Sequence, residues 1–420
     1  MLTVAEAQAA ILAECTPNSV VAVSLTTALG QVLAQPVVSP YDSPPFDKSM
    51  MDGFAVRVEE LTAAGTVLPI VGELIAGPSE TAELLPGTTL RIMTGAPIPR
   101  GCNAVVRLED VTVQGALSDQ GELAEFRLGA VPVGRNIIPR GQMLRRGETV
   151  LTAACQLRPQ EIALLAEMGR DQVAVHRRPS AAVLATGDEL VPPGVPLGPG
   201  QICNSNESLL VAQLTAFGAE VRGLGIGRDD LSALREKITE GLRSDVLILT
   251  GGVSMGSRDL VPQVLTESGA RPVFHKVQLK PGKPVWFGVL DDPATGRRTL
   301  IFALPGNPVS SMVCSELFVR PAIARLLGLA VSLPPLVTAR LTREHLLRED
   351  RPTYFPAWLS LGGEGAMVEP TDWRGSADLR STVHANAVIA FPAAERTYDA
   401  GETVTVWPFV DAVGTAARSV

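Results

Sequence analysis

Three short turns hold most of the residues able to do chemistry: Thr186-Gly187-Asp188-Glu189, Gly251-Gly252-Val253-Ser254-Met255-Gly256 and Pro305-Gly306-Asn307-Pro308. Each follows an apolar run and precedes a helical pattern. Glycine lets the main chain approach a ligand closely, and a helix N-terminus offers unpaired N–H groups to an anion, so a phosphate-bearing ligand suits these turns. Taken singly, each turn could use glycine for steric reasons alone. Three together, expected at the carboxyl edge of one sheet, point to a binding site. Lys280-Pro281-Gly282-Lys283-Pro284 adds two ammonium groups on a proline-stiffened segment, an anion clamp or, more plainly, a solvated basic turn.

Asp188, Glu189, Asp229, Asp230 and Asp259 stand at or just after expected strand ends. Carboxylates beside a phosphate would repel it unless a divalent cation intervened, which implies Mg²⁺. Asp229 and Asp230 serve equally well as helix N-caps. Two charges in the Thr186–Glu189 turn have no such structural use.

Familiar nucleotide motifs fail. Gly223-Leu-Gly-Ile-Gly227 lacks the dinucleotide spacing and runs along an expected strand, and Gly282-Lys283 is followed by Pro284 where a phosphate-binding loop needs Ser or Thr. The five cysteines are scattered and never form CxxC, and the four histidines form no tight cluster, so neither a disulfide framework nor a zinc site is expected. A net charge of −8 opposes a nucleic-acid partner. The N-terminus has no signal-peptide pattern and no apolar run approaches a bilayer span, so a soluble, cytoplasmic protein without membrane contact is expected.

The elements that must position these turns are legible between about Ala181 and Gly328, where apolar β-type runs alternate with helical patterns, as in a parallel α/β sheet. Strands are expected at 181–185, 221–226, 245–250 and 300–304. One helix buries Leu210, Leu214 and Phe217; another opens at Asp229-Asp230 and buries Leu231, Leu234, Ile238 and Leu242. Asn307 reads as N-cap and Pro308 as the first residue of a long helix that Pro321 should kink or divide. Short β-type runs between about Phe46 and Arg140, and again between Val331 and Phe409, suggest β domains. A helix over 159–169 is expected in a connecting piece that packs with the N-terminal segment. At 420 residues, two to four domains are expected.

Pro45-Phe46-Asp47-Lys48-Ser49-Met50-Met51-Asp52-Gly53-Phe54-Ala55 and Thr94-Gly95-Ala96-Pro97, with the three turns, the Lys280–Pro284 segment, Gly375-Ser376-Ala377-Asp378-Leu379 and His384-Ala385-Asn386-Ala387, resemble the molybdenum insertases, the MoeA and gephyrin E-domain family. The resemblance spans nearly the whole chain. It implies a multidomain α/β plus β fold: a linking domain (1–45 and 141–177), an inserted β domain (46–140), a three-layer α/β/α molybdopterin-binding domain (178–329) and a C-terminal β-barrel (330–420). It further implies a homodimer that takes adenylylated molybdopterin from a MogA-type adenylyltransferase, inserts molybdate with Mg²⁺ and releases AMP. By carry-over, Thr186, Asp188, Gly251, Gly252, Ser254, Lys280, Lys283, Pro305, Asn307 and Ser376 bind the pterin or its phosphates. Asp52, Thr94, Glu189, Asp229 and Asp259 are the catalytic set, with Glu189, Asp229 and Asp259 on the metal, and Asp52 and Thr94 come from the partner subunit.

The chain departs from the family pattern at Asn103, at Ser257 and at Gln142-Met143, each time losing an acid. A tungstate-inserting enzyme, a non-catalytic molybdopterin carrier or scaffold, and an enzyme that adenylylates molybdopterin are the alternatives.

Overall fold

The computed structural model describes residues 1–409 apart from 79–81, 116–120, 253–259, 331, 332, 334 and 364. Two compact units divide the chain: Met1–Gln35 with Ala154–Ile162 and Asp171–Val420, and Pro36–Ala153 with Ala163–Arg170.

The first unit is organised by a six-stranded sheet in the order Glu220–Gly227, Ser180–Thr186, Val246–Thr250, Arg297–Leu304, Trp286–Asp292, Arg271–His275. The first four strands are parallel, as the sequence implies. The last two are antiparallel to their neighbours, which the apolar pattern did not reveal. The link from Asp292 to Arg297 is too short for a parallel crossover, which takes a dozen residues or so. It closes as a turn, with Asp292 accepting from the Ala294 N–H at 3.0 Å and the Thr295 hydroxyl at 2.6 Å.

Alternation along the strands fills two cores. Ala181, Val183, Val246, Ile248, Leu300 and Phe302 face one way, against Leu210 and Leu214 of helix Ser205–Ala216 and Val309 and Val313 of helix Pro308–Cys314. Ala182, Leu184, Leu247, Leu249, Ile301 and Ala303 face the other way, against Leu234 and Ile238 of helix Leu231–Gly241 and Val261 and Leu265 of helix Val261–Glu267. Three layers result. Pro321 divides its helix as expected: a π-helical stretch, Ser315–Val319, separates Pro308–Cys314 from Arg320–Leu326. Proline has no N–H to give the preceding turn, and the π stretch takes up the mismatch.

Asp245 ties the amino ends of three central strands. Its carboxylate accepts from Arg177 at 2.8 and 2.9 Å and from the Ser180 N–H at 2.7 Å, and its carbonyl accepts from the Leu300 N–H at 2.8 Å. Farther along, strands Val337–Leu341, Gly365–Pro370, Thr353–Gly362, Ala387–Phe391 and Thr403–Pro408 close a barrel around Leu341, Val368, Ile389 and Phe391.

The second unit contains a six-stranded sheet in the order Ala104–Arg107, Gly53–Val56, Thr89–Ile92, Thr66–Leu74, Leu123–Phe126, Val111–Gln114. Phe54 and Phe126 meet edge-on in its core with centroids 6.1 Å apart. Gly53 is required there, because a Cβ would overlap the Val106 carbonyl oxygen of the adjacent strand. Helix Pro159–Glu167 ends within this unit, where Tyr41 donates to the Glu167 carbonyl at 2.5 Å and Ser43 to its carboxylate at 2.8 Å.

Burial pushes the Asp245 carboxyl up, but hydrogen bonds from Arg177 and Ser180 outweigh it and hold the group below its ordinary value. A depressed carboxylate pKa stabilises the fold above the unfolded value of about 3.9 and loses that contribution as pH falls through the folded value. Arg177→Met strands Asp245 and should cost on the order of 2 kcal/mol at pH 7, below the figure for a fully buried pair because the arginine is half in water. Thermal melts should show the gap between parent and variant closing below about pH 4. A gap that is the same at every pH would contradict this role for Asp245.

Candidate functional site

Among the four parallel strands, chain order reverses between Ser180–Thr186 and Val246–Thr250, which is where an open α/β sheet leaves a crevice at its carboxyl edge. Thr186 is buried there and donates to the Thr250 carbonyl at 3.3 Å. Gly251, at φ +90°, lies so near Thr186 that a Cβ would overlap the Thr186 carbonyl oxygen. At Gly252, with φ +62°, a Cβ would stand 3.0 Å from the Thr186 hydroxyl, and at Gly306 one would stand 3.6 Å from the Gly251 Cα. Thr186, Gly251, Gly252 and the buried Pro305 belong to this carboxyl edge, the glycines packing on the Thr186 carbonyl and hydroxyl.

Asn307 precedes the helix that begins at Pro308, as the sequence suggests, but its side chain makes no capping bond. It donates instead to the Ser376 hydroxyl at 2.8 Å, while the Ser376 carbonyl accepts from Val309 N–H at 3.0 Å. The expected capping role thus gives way to a tie between two sequence-predicted ligand residues.

The acids fall into a second group. Glu189 folds back over Gly187, where a Cβ would meet its carboxylate at 2.5 Å; only glycine, here at φ +146°, leaves it room. Asp188 accepts from the Asp229 N–H at 3.2 Å, and Arg228 donates to the Asp188 and Leu190 carbonyls at 2.9 and 3.1 Å. The 186–189 and 227–230 loops are therefore one hydrogen-bonded body, with Asp188, Glu189 and Asp229 all exposed on it. Of the two candidate caps, Asp230 does the capping, accepting from Ala233 N–H at 2.8 Å.

The two lysines of the Lys280–Pro284 segment differ. Lys280 forms an ion pair with Glu349, and its main chain runs beside the barrel strand at Thr353, with Lys280 N–H donating to the Pro352 carbonyl at 2.8 Å. Lys283 is exposed. Gly282 between them is pressed against the buried thiol of Cys314, so the segment is seated on the helix Pro308–Cys314 as well as on the barrel.

Within the second unit, Asp52 and Thr94 form a pair. Thr94 donates to Asp52 from its hydroxyl at 2.6 Å and from its N–H at 2.7 Å, and these bonds hold the exposed Asp52 carboxyl below its ordinary value. Asn103, an anomaly against the family pattern, accepts from Val58 N–H at 2.8 Å and donates to Glu59 at 2.9 Å, a donation that an aspartate could not make. Met143 is exposed, its N–H donating to the Ser43 carbonyl at 2.9 Å.

Ser254, Ser257 and Asp259 lie outside the described residues. Among the described residues no three His, Cys, Asp or Glu side chains gather as a metal cage. Glu189 and Asp229, on adjoining loops, are all-oxygen donors of the kind Mg²⁺ takes in ones and twos beside substrate phosphates. Among the described residues no helix is long and apolar enough to cross a membrane.

Sequence reasoning missed Asn206, Thr250 and Ser311, which lie buried beneath the turns. The signal for Asn206 was available: it precedes Leu210 and Leu214 by four and eight residues, so helical periodicity already puts a polar side chain on the buried stripe. A cavity of about 750 Å³ also opens beside the barrel, lined by Arg343, Asp372, Arg374, Arg380 and His384, none of them a sequence-predicted site residue.

Three family models match successive stretches: "MoeA N-terminal region (domain I and II)" over residues 2–169, "Probable molybdopterin binding domain" over 182–325 and "MoeA C-terminal region (domain IV)" over 338–409. A molybdopterin molybdenumtransferase from a Nostoc species is 35% identical over 393 residues, covering 91% of this chain and 87% of the relative. One from Haemophilus influenzae is 33% identical, covering 99% and 100%. A crystal structure of a molybdopterin biosynthesis MoeA protein from Pyrococcus horikoshii superposes with a TM-score of 0.79 at 27% identity, covering 97% of this chain and 99% of that one. With its length matched from end to end by relatives of this kind, the chain belongs to the MoeA family.

Proposed function

We propose that this chain is a molybdopterin molybdenumtransferase that inserts molybdate into adenylylated molybdopterin and releases AMP. The observation that carries the reading is the crevice at the sheet's switch point, where Gly251 and Gly306 offer main chain to a ligand over the buried Thr186, beside the acids of the 186–189 and 227–230 loops. Family membership supplies the substrate. The domain limits that suit this reading are 1–45 with 141–177, 46–140, 178–329 and 330–420. The protein works in the cytoplasm, receiving substrate from a MogA-type adenylyltransferase.

Lys283, exposed on a segment braced by Gly282 and the Lys280–Glu349 pair, offsets phosphate charge on the substrate. The Gly251 and Gly306 main chain lies against the pterin, with Asn307 and Ser376 fixing one wall. Glu189 holds the attacking oxygen in line with the anhydride, its position set by the turn at Gly187. Glu189, Asp229 and Asp259 would hold Mg²⁺, which when bound neutralises charge developing on the phosphates. The active form is a homodimer in which Asp52 and Thr94 of one subunit complete the other's site.

Purified protein should release AMP from adenylylated molybdopterin only when molybdate is added; binding without release would leave a carrier, and a preference for tungstate in competition would make it a tungsten enzyme. Lys283→Ala should weaken substrate binding about ten- to a hundredfold, the worth of one charge-assisted hydrogen bond. Glu189→Gln should bind normally and lose turnover by about two orders of magnitude or more, as a group used in the transition state does. Normal turnover by Glu189→Gln, or undiminished binding by Lys283→Ala, would refute these roles. A mixture of Asp52→Ala and Glu189→Ala chains should regain activity that neither has alone, since one of the two sites in a heterodimer is intact; no recovery would speak against the shared site.

A further inference from the structure

We infer that Asn206 is a positioning residue for the sheet-edge site, tying the Pro305–Asn307 loop to the end of the central strand at Thr250. The residue is buried in the first turn of helix Ser205–Ala216. Its side-chain NH₂ donates to the Thr250 hydroxyl at 2.8 Å and to the Gly306 carbonyl at 2.6 Å. A carbonyl only accepts, so the amide orientation is fixed and both of its donors are used. Thr250 continues the tie with its hydroxyl 3.2 Å from the Pro305 carbonyl, which Ser311 also reaches at 2.5 Å. Three elements meet at this one amide: the 205–216 helix, the strand that leads into Gly251 and the loop that carries Gly306 and Asn307.

The same side chain carries a cost. Its Oδ1 is buried with no hydrogen-bond partner among the described residues, a condition unfavourable for any buried acceptor. Leucine at this position would continue the stripe of Leu210 and Leu214 and remove the orphaned Oδ1, at the loss of the two donated bonds. An amide that is poor for burial and good for holding a loop is what a positioning role requires, whereas a purely structural role would be served better by the aliphatic side chain.

Asn206→Leu separates the two roles. Its thermal midpoint should equal or exceed that of the parent, while hydrogen exchange of the Gly306–Ser311 amides should quicken about tenfold, the net weight of roughly one hydrogen bond, with no change in the 231–241 helix. The affinity for adenylylated molybdopterin should fall about tenfold on the same basis, with AMP release from the bound substrate falling less. Thr250→Val, which deletes the hydroxyl that Asn206 holds, should reproduce the faster exchange in part, and Thr250→Ser should restore the parental rate. Should Asn206→Leu not fold, the Thr250 pair carries the test alone. Unchanged exchange at 306–311 would overturn the inference, as would a lowered midpoint with exchange raised throughout the unit. Faster exchange with undiminished substrate affinity would overturn its link to the site. The effect on substrate rests on the proposed function; the exchange does not, so a parent protein that fails to bind the substrate would sink that function and leave the tie to be decided by exchange.

Discussion

The main chains of Thr186 and Gly251 approach so closely at the carboxyl edge that no side chain fits between them. That approach follows from strand order. The two strands are neighbours in the sheet, with Ala185 in register with Thr250, yet their helices leave toward opposite faces, Ser205–Ala216 to one core and Val261–Glu267 to the other. A crevice between the diverging connections is the geometric result. Glycine is the residue that lets the chain turn away at φ +90° without striking the adjacent strand, and its bare surface is also what lets a ligand approach.

The amino edge of the same sheet is closed as firmly as the carboxyl edge is left open. Asp245 holds Arg177, Ser180 and Leu300 there, so three strands start in fixed register and whatever they present at their far ends is aligned by the pleat. The carboxyl ends then differ in what they carry. One ends in the acidic loop braced by Arg228, one in glycines, and one in Pro305-Gly306-Asn307, hydrogen-bonded to Ser376 beyond the helix. Among the described residues the exposed carboxylates Asp188 and Glu189 stand on the first, while Gly251, Gly252 and Gly306 present bare main chain on the other two.

Local patterns made much of this legible. Near-continuous apolar runs marked the strands, and the spacing of Leu231, Leu234, Ile238 and Leu242 marked a helix face that is buried at the last three and part-buried at Leu231. Glycine turns at strand ends marked the crevice, because a parallel sheet must bring such ends to one edge. What escaped was set by partners distant in sequence. Nothing near Lys280 indicates that Glu349 pairs with it, and nothing near Asn307 indicates that Ser376 would take its amide in place of a cap. The antiparallel strand Trp286–Asp292 was missed because its register is fixed by the turn to Arg297 more than by its composition. Asn206 is legible only in part: helical spacing puts a polar residue on a buried stripe, but its partners Thr250 and Gly306 lie 44 and 100 residues away.

The most direct measurement is a crystal structure of the protein with adenylylated molybdopterin bound. We expect density for the ligand along the carboxyl edge, its phosphates within hydrogen-bond reach of Lys283 and its body over Gly251 and Gly306. Ligand density in the arginine-lined cavity beside the barrel, with the sheet edge empty, would contradict the placement of the site at the switch point.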